Sequence, residues 1–127
     1  VFDNPTERKW LESVTHPRVR ERILVHLERL QRQSPYVLLV SPLLFESGQD
    51  KLVDRTVVVD VPVELQLSRT RARDDVSEAQ VHAILAAQLP REERLTKAND
   101  VIDNSGDHAS MMQQVTQLDQ HYRNKYL

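Results

Sequence analysis

YVLLVSPLLFESG, the segment from Tyr36 to Gly48, contains the apolar run around which we expect the chain to fold. Residues 36–40 are apolar without interruption, which is typical of a strand in a parallel sheet that helices cover on both faces. Pro42 cannot donate a ladder hydrogen bond, so the strand should end there. Residues 43–48 would then lie at the carboxyl edge of the sheet, where ligands bind in open α/β folds.

Two further apolar runs, at residues 56–61 and 101–103, predict neighbouring strands. Helical patterns lie between the runs, which favours crossover connections and a parallel sheet. The predicted fold class is therefore α/β, with a parallel sheet flanked by helices.

Capping signals mark the starts of the predicted helices. Asn4 followed by Pro5 suits a helix that should end near residue 14. His16-Pro17 should break it and start a second helix, which has one apolar stripe. The stripe comprises Val19, Ile23, Leu27 and Leu30.

Later helix starts are predicted after Pro62, at Ser77 with Gln80 as a capping box, after Pro90 and at Asp107. The helical pieces between the second and third strands carry much charge and little apolar surface. We therefore expect them to pack lightly and to move. The final helix should bury a stripe, which comprises Met111, Val115, Leu118 and Tyr122.

The composition is that of one ordinary globular domain: 127 residues, of which 39% are hydrophobic and 28% charged. The 17 basic and 19 acidic residues are well mixed, which argues against nucleic acid or an anionic membrane as the main partner. No apolar run approaches the roughly 20 residues that a membrane span needs. The chain has no cysteine, which excludes disulfides and thiolate metal sites, and a cytoplasmic setting is the default.

Glycine is scarce, with only Gly48 and Gly106 in the sequence. Phosphate-binding loops need several glycines at fixed offsets, so that backbone N–H groups can point at the anion. The chain therefore carries no such loop. It also begins at Val1 and not with methionine, and we expect it to be a segment of a longer protein.

Arginines supply the first candidate site. Arg69 and Arg73 are four residues apart and share a helix face, and Arg94 follows in the next charged segment. Several guanidinium groups converging on one cleft suit a polyphosphate. The alternative is a solvated helix face whose arginines pair with acidic neighbours, which are Asp74, Asp75, Glu92 and Glu93.

Other polar residues also have two interpretations. Glu46, just beyond the apolar run, could hold a substrate hydroxyl or a magnesium-bound water, or form a salt bridge. Asp103-Asn104 could close an Asx turn, or Asn104 could contact a base. His16 could be a ligand or base, or a cap before Pro17. The remaining histidines show no metal-ligand spacing, and no metal site is predicted within the chain.

Five collinear motifs together resemble dephospho-coenzyme A kinase over essentially the whole sequence. They are HPRVR (16–20), PLLFESG (42–48), VVVDVP (57–62), QLSRTRARD (66–74) and KANDVIDNSGD (97–107). That family consists of P-loop kinases of the nucleoside-monophosphate-kinase type. Its members transfer the γ-phosphoryl group of ATP to the ribose 3′-hydroxyl of dephospho-coenzyme A, which completes coenzyme A synthesis.

The resemblance implies functions for regions of the chain and for several of the motif residues. Residues 1–33 would form a helical acceptor-binding region, 34–68 and 99–127 the core, and 69–98 a small helical lid. The implied acceptor-binding residues are His16, Arg20, Pro42, Leu43, Leu44 and Glu46. The implied ATP-binding residues are Arg69 and Asn104 at the adenine, Arg73 at the phosphates as the catalytic residue, and Arg94.

The resemblance also implies what lies outside these residues. In the family a first strand, a Walker A loop that binds ATP phosphates and Mg²⁺, and an aspartate that activates the acceptor all precede this region. Many members also have aspartate where this sequence has Val40, which leaves Glu46 as the nearer candidate for the magnesium shell. The chain alone is therefore expected to be inactive, and its exposed strand edges to favour self-association or strand exchange.

Two other functions stay open on the residues alone. A related nucleotide or small-molecule kinase would share the fold and the lid arginines. A non-catalytic interaction domain would keep the fold without the phosphate loop.

Overall fold

The computed structural model describes residues 4–74 and 77–126, which belong to two compact units. One unit is Val1–Leu38 with Tyr126–Leu127, and the other is Leu39–Lys125. None of the helices in these described ranges is long and apolar enough to cross a membrane. The elements are α1 (Pro5–Gln31), a 3-10 helix (Gln49–Leu52), β1 (Val57–Asp60), α2 (Val63–Asp74), α3 (Glu78–Ala86), α4 (Arg91–Lys97), β2 (Asp100–Asp103) and α5 (His108–Tyr126).

Helix α1 begins where the sequence predicts and then continues through its internal proline. Asn4 Oδ1 accepts hydrogen bonds from the N–H groups of Thr6 and Glu7 at 3.1 and 3.2 Å. The predicted break at His16-Pro17 is wrong, because α1 is one helix of 27 residues. An internal proline costs about 3 kcal/mol. Ending and restarting the helix would leave two further sets of backbone groups without intrahelical partners.

The apolar stripe of α1 is only partly buried. Ile23, Leu27 and Leu30 have intermediate exposure, whereas Val19 is 46% exposed. Trp10 on the same helix is 67% exposed.

The two strands of the second unit form the parallel pair that the sequence predicts. Val57 is paired with Asp100, and Asp60 with Asp103. Val58 and Ile102 are each 9% exposed and belong to the core. The carboxyl ends of both strands therefore lie side by side.

The predicted central strand at residues 36–40 is wrong, because these residues form no regular element. A β-strand needs a hydrogen-bonded neighbour, and among the described residues β1 and β2 pair only with each other. Leu38 and Val40 are 70% and 89% exposed. The apolar sequence indicated a segment suited to burial, but it could not show whether a neighbouring strand was present to pair with it.

The remaining helices begin at their predicted signals. Helix α2 follows Pro62, and the Ser77–Gln80 capping box is formed at the start of α3. Val81 on α3 is completely buried. Asp107 Oδ1 accepts from the N–H of Ser110 at 2.8 Å and so caps α5.

The predicted stripe of α5 faces inward. Tyr122 is 8% exposed, and Met111, Val115 and Leu118 have intermediate exposure. Asp75, one of the proposed partners of the arginines, lies outside the described residues.

Candidate active site

A cavity of about 590 Å³ opens in the second unit, next to the carboxyl ends of β1 and β2. Val59 and Val61 line it at the end of β1, and Asn104 lines it just after β2. Volumes of a few hundred Å³ suit a nucleotide or a drug-sized molecule. The polar lining residues are Gln66, Arg69, Thr70, Arg73, Gln88, Arg94 and Asn104.

All four residues expected to bind ATP therefore line one cavity. Arg69 and Arg73 come from α2, Arg94 from α4 and Asn104 from the turn after β2. No described residue that lines the cavity is acidic. The described part of the cavity wall thus carries three guanidinium groups and no carboxylate, which favours an anionic ligand.

Two of these arginines differ in their hydrogen bonding. Arg69 Nη1 donates to the backbone oxygen of Asn104 at 2.6 Å, which joins α2 to the end of β2. Arg94 Nε is buried and has no hydrogen-bond partner in residues 4–74 and 77–126. A buried donor without a partner is uncommon in folded proteins and is a natural contact for an acceptor on a ligand.

The turn after β2 has the Asx geometry that the sequence suggested. Ser105 donates both its N–H and its hydroxyl to Asp103 Oδ1, at 2.9 and 2.6 Å. These bonds lower the pKa of Asp103. Asn104 sits between the two residues, so the turn presents it to the cavity.

The segment expected to contact the acceptor lies beside the end of α3. Pro42 lines the cavity, and its carbonyl accepts from Gln88 Nε2 at 3.4 Å. Leu43 is exposed and Leu44 has intermediate exposure. Glu46 Oε1 accepts from the N–H of Leu89 at 3.0 Å, so one oxygen of this carboxylate already has a protein partner.

His16 and Arg20, the other two residues expected at the acceptor, belong to the first unit. Both lie on α1, four residues apart and therefore on one face of the helix. Both are exposed.

A resident metal ion does not fit the described residues. In the ranges 4–74 and 77–126 no three His, Asp or Glu side chains lie close enough to hold one.

An ion pair ties α4 to the carboxyl end of β1. Arg91 Nε and Nη2 donate to the two oxygens of Asp60, each at 2.8 Å. This hydrogen bonding raises the pKa of Arg91. In the sequence Asp60 stands between Val59 and Val61, which both line the cavity.

The opposite ends of the strands carry a closed polar network. Arg55 Nε and the Tyr122 hydroxyl both donate to Asp100 Oδ2, at 3.1 and 2.6 Å. Burial alone would raise the pKa of Asp100, but these hydrogen bonds outweigh burial and lower it. Burial and the bond to Asp100 raise the pKa of Tyr122 to about 12.

Comparison with known proteins shows which family carries this arrangement. A family model described as Dephospho-CoA kinase matches residues 1–110. Curated dephospho-CoA kinases from Idiomarina loihiensis and Acinetobacter baylyi are 49% identical over 122 residues and 41% identical over 124 residues. The chain belongs to the dephospho-CoA kinase family. It covers 59% and 63% of the length of these two relatives, which in turn match 96% and 98% of the chain.

Solved structures give the same family and the fold. A Thermus thermophilus protein of known crystal structure matches with a TM-score of 0.80 and 35% identity, over 95% of this chain and 62% of that one. Dephospho-CoA kinase from Campylobacter jejuni matches with a TM-score of 0.70 and 32% identity, over 99% and 63%. The fold is of the P-loop NTPase type, and the predicted family and fold class are confirmed.

Sequence reasoning missed several residues around the cavity. Gln66 and Thr70 have the spacing of three to four that places them on the same face of α2 as Arg69 and Arg73, so this periodicity was an available signal. Gln88 and the Asp60–Arg91 pair had no such signal. The pair joins residues 31 apart in the sequence.

Proposed function

We propose that this chain is part of an enzyme that transfers the γ-phosphoryl group of ATP to the 3′-hydroxyl of dephospho-coenzyme A. The observation that carries the proposal is the cavity that Arg69, Arg73 and Arg94 line at the carboxyl ends of the strands. Membership of the dephospho-CoA kinase family supports the choice of acceptor. ATP is the donor because a polyphosphate matches a cluster of cations with no lining carboxylate.

The arginines would act by positioning and by charge. In the reaction the acceptor oxygen attacks the γ-phosphorus, the bond to the bridging oxygen of ADP breaks, and the hydroxyl proton leaves to a base. Negative charge spreads over the phosphoryl oxygens, and guanidinium donors already in place stabilise it. We assign Arg73 to this charge as the catalytic residue, with Arg94 beside it. Arg69 and Asn104 are assigned to the adenine.

We assign the acceptor to the residues that the family resemblance implies. Pro42 at the cavity edge, followed by Leu43 and Leu44, gives an apolar wall, and Glu46 completes the segment. His16 and Arg20 on α1 would add polar contacts to the acceptor. Their exposure leaves both side chains available for such contacts.

Magnesium would accompany ATP as its phosphate complex. We propose that its ligands are phosphate oxygens and residues outside these 127, because the described residues offer no metal site. A divalent ion would neutralise phosphate charge and orient the γ-phosphoryl group. Residues 69–98 would form the lid over this complex.

The chain by itself should have no kinase activity, since its two glycines cannot build a phosphate-binding loop. The outer edge of β1 and the exposed residues Leu38 and Val40 also favour association between copies or strand exchange. Sedimentation of the isolated chain tests this point: assemblies larger than one chain are expected, and a purely monomeric species would contradict it.

The test of the proposed function is ADP release by the protein encoded by the complete reading frame. ATP and Mg²⁺ are supplied with either dephospho-coenzyme A or a panel of nucleoside monophosphates. We expect turnover only with dephospho-coenzyme A. Turnover with a nucleoside monophosphate would replace the acceptor, and no turnover with any acceptor would leave a binding function for the fold.

A further inference from the structure

Helix α4 is tied to the last residue of β1 at one end and to Thr56, the residue before β1, at the other. At its start, Arg91 makes two hydrogen bonds of 2.8 Å to Asp60, the last residue of β1. At its end, the hydroxyl of Thr56 donates to the Lys97 carbonyl at 3.2 Å. The helix therefore has a fixed position and orientation along the strand.

The Asp60–Arg91 pair is well placed to hold the start of α4. Both oxygens of Asp60 are engaged by the planar fork of one guanidinium group, a geometry that fixes direction as well as distance. The Asp60 side chain is 12% exposed and the Arg91 side chain 38%. Screening by water is thus weaker here than for an exposed surface pair.

Arg94 follows Arg91 by three residues and lies on the same side of α4. It lines the cavity, and its buried Nε has no partner among the described residues. Two other arginines, Arg69 and Arg73, line the same cavity. Without an anchor for α4, rotation of Arg94 out of the cavity would let its Nε find a hydrogen-bond partner elsewhere.

We propose that Asp60 and Arg91 are positioning residues that hold Arg94 in the cavity for an anionic group of the bound nucleotide. This inference rests on the proposed function. Neither Asp60 nor Arg91 needs to touch the ligand, because their effect passes through α4. Neither residue is among the described residues that line the cavity, and both oxygens of Asp60 accept from Arg91.

A double-mutant cycle in the complete protein tests the proposal. The variants are Asp60→Asn, Arg94→Gln and the double variant, and the quantity is kcat/KM for ATP with dephospho-coenzyme A. We expect Asp60→Asn to lower kcat/KM about tenfold, because a small displacement of a positioned group is costly. In the Arg94→Gln background it should change kcat/KM by less than about twofold, because residues that act as a unit are non-additive. Equal losses in both backgrounds would overturn the proposal.

Asp100→Asn is the matched control. Asp100 and Arg55 form a similar ion pair, with side-chain exposures of 18% and 24%, at the opposite end of the strands. It should lower stability and leave kcat/KM unchanged. If it reduces kcat/KM as much as Asp60→Asn does, the loss reflects general destabilisation and the proposal fails. Should Asp60→Asn not fold, Arg91→Gln takes its place in the cycle, since Arg91 is the more exposed partner.

A measurement of ATP binding distinguishes failure of this proposal from failure of the proposed function. Calorimetry without acceptor measures the dissociation constant of ATP for the same set of variants. The double-mutant cycle can then be evaluated on binding alone, with no turnover. A protein that binds ATP but phosphorylates no acceptor would refute the proposed reaction, while non-additive changes in the ATP dissociation constant would still support the role of Asp60. Additive changes would overturn that role even in an active kinase.

Discussion

The two ends of the β1–β2 pair use polar side chains in opposite ways. At the amino ends, Thr56 N–H and hydroxyl, Asn99 and Asp100 satisfy one another or a neighbouring backbone group. Arg55 and Tyr122 complete the charge balance around Asp100. These hydrogen bonds join residues that are far apart in the sequence, so the network is suited to hold the fold together.

At the carboxyl ends the balance is incomplete. Three arginines line the cavity, no described lining residue is acidic, and Arg94 Nε has no partner in the described part of the chain. Nearby, the Asp60–Arg91 pair engages both oxygens of Asp60. The difference between the two ends is the reason for proposing that the carboxyl ends bind a ligand, whereas the amino ends hold the fold together.

The largest expected effect concerns Arg73, which lines the cavity at the carboxyl ends of the strands. Arg73→Ala in the complete protein should lower kcat about a hundredfold or more, the size typical of losing a donor to developing charge. The measurement is steady-state ADP release. Arg71→Ala is the matched control, because Arg71 is exposed on the same helix and is not among the cavity-lining residues. An unchanged kcat for Arg73→Ala would refute its assignment to the phosphates.

A substitution in the polar network at the amino ends of the strands should lower the free energy of unfolding. Thr56 is 8% exposed, and its hydroxyl both donates to the Lys97 carbonyl and accepts from the Asn99 N–H. Thr56→Val would leave both groups without this partner and should lower the free energy of unfolding by about 1–3 kcal/mol. Urea denaturation of the complete protein measures the loss.

Thr116→Val provides the comparison for Thr56. Its hydroxyl is exposed and donates only to the Met112 carbonyl one turn earlier in α5. Exposed substitutions of this kind usually stay within about 0.5 kcal/mol. Equal losses for the two variants would show that the amino-end network contributes nothing beyond an ordinary surface hydroxyl.

Local signals explain what the sequence predicted well. The caps at Asn4, Ser77 and Asp107 depend on residues within one helical turn, and all three are formed. The strands β1 and β2 form as predicted because the two apolar runs pair with each other. Arg69 and Arg73 were found through helical spacing, which is again a local property.

Non-local energetics explain what failed. At residues 36–40 the sequence indicated a buried strand, but pairing depends on a neighbour that the run itself does not contain. At Pro17 a strong local breaker lost to the cost of ending a long helix. Asp60 and Arg91 looked like ordinary charges, because only the fold brings residues 31 apart into a two-bond contact.

The last expected effect concerns Tyr122 at the amino ends of the strands and depends on pH. Its pKa is raised from about 10 to about 12 by burial and by its bond to Asp100. Below about pH 10 both the folded and the unfolded chain keep the phenolic proton, so this contribution to stability is complete. Between about pH 10 and 12 the unfolded chain releases the proton first, and the contribution is lost as pH rises through the folded pKa.

The measurement is urea denaturation of the unaltered protein and of Tyr122→Phe across this pH range. Taking the difference between their free energies of unfolding removes the titration of other groups. We expect the difference to shrink with rising pH, because the unfolded chain releases the phenolic proton at a lower pH than the folded chain does. A difference that stays constant from pH 9 to 12 would show that the hydrogen bond from Tyr122 does not stabilise the amino-end network.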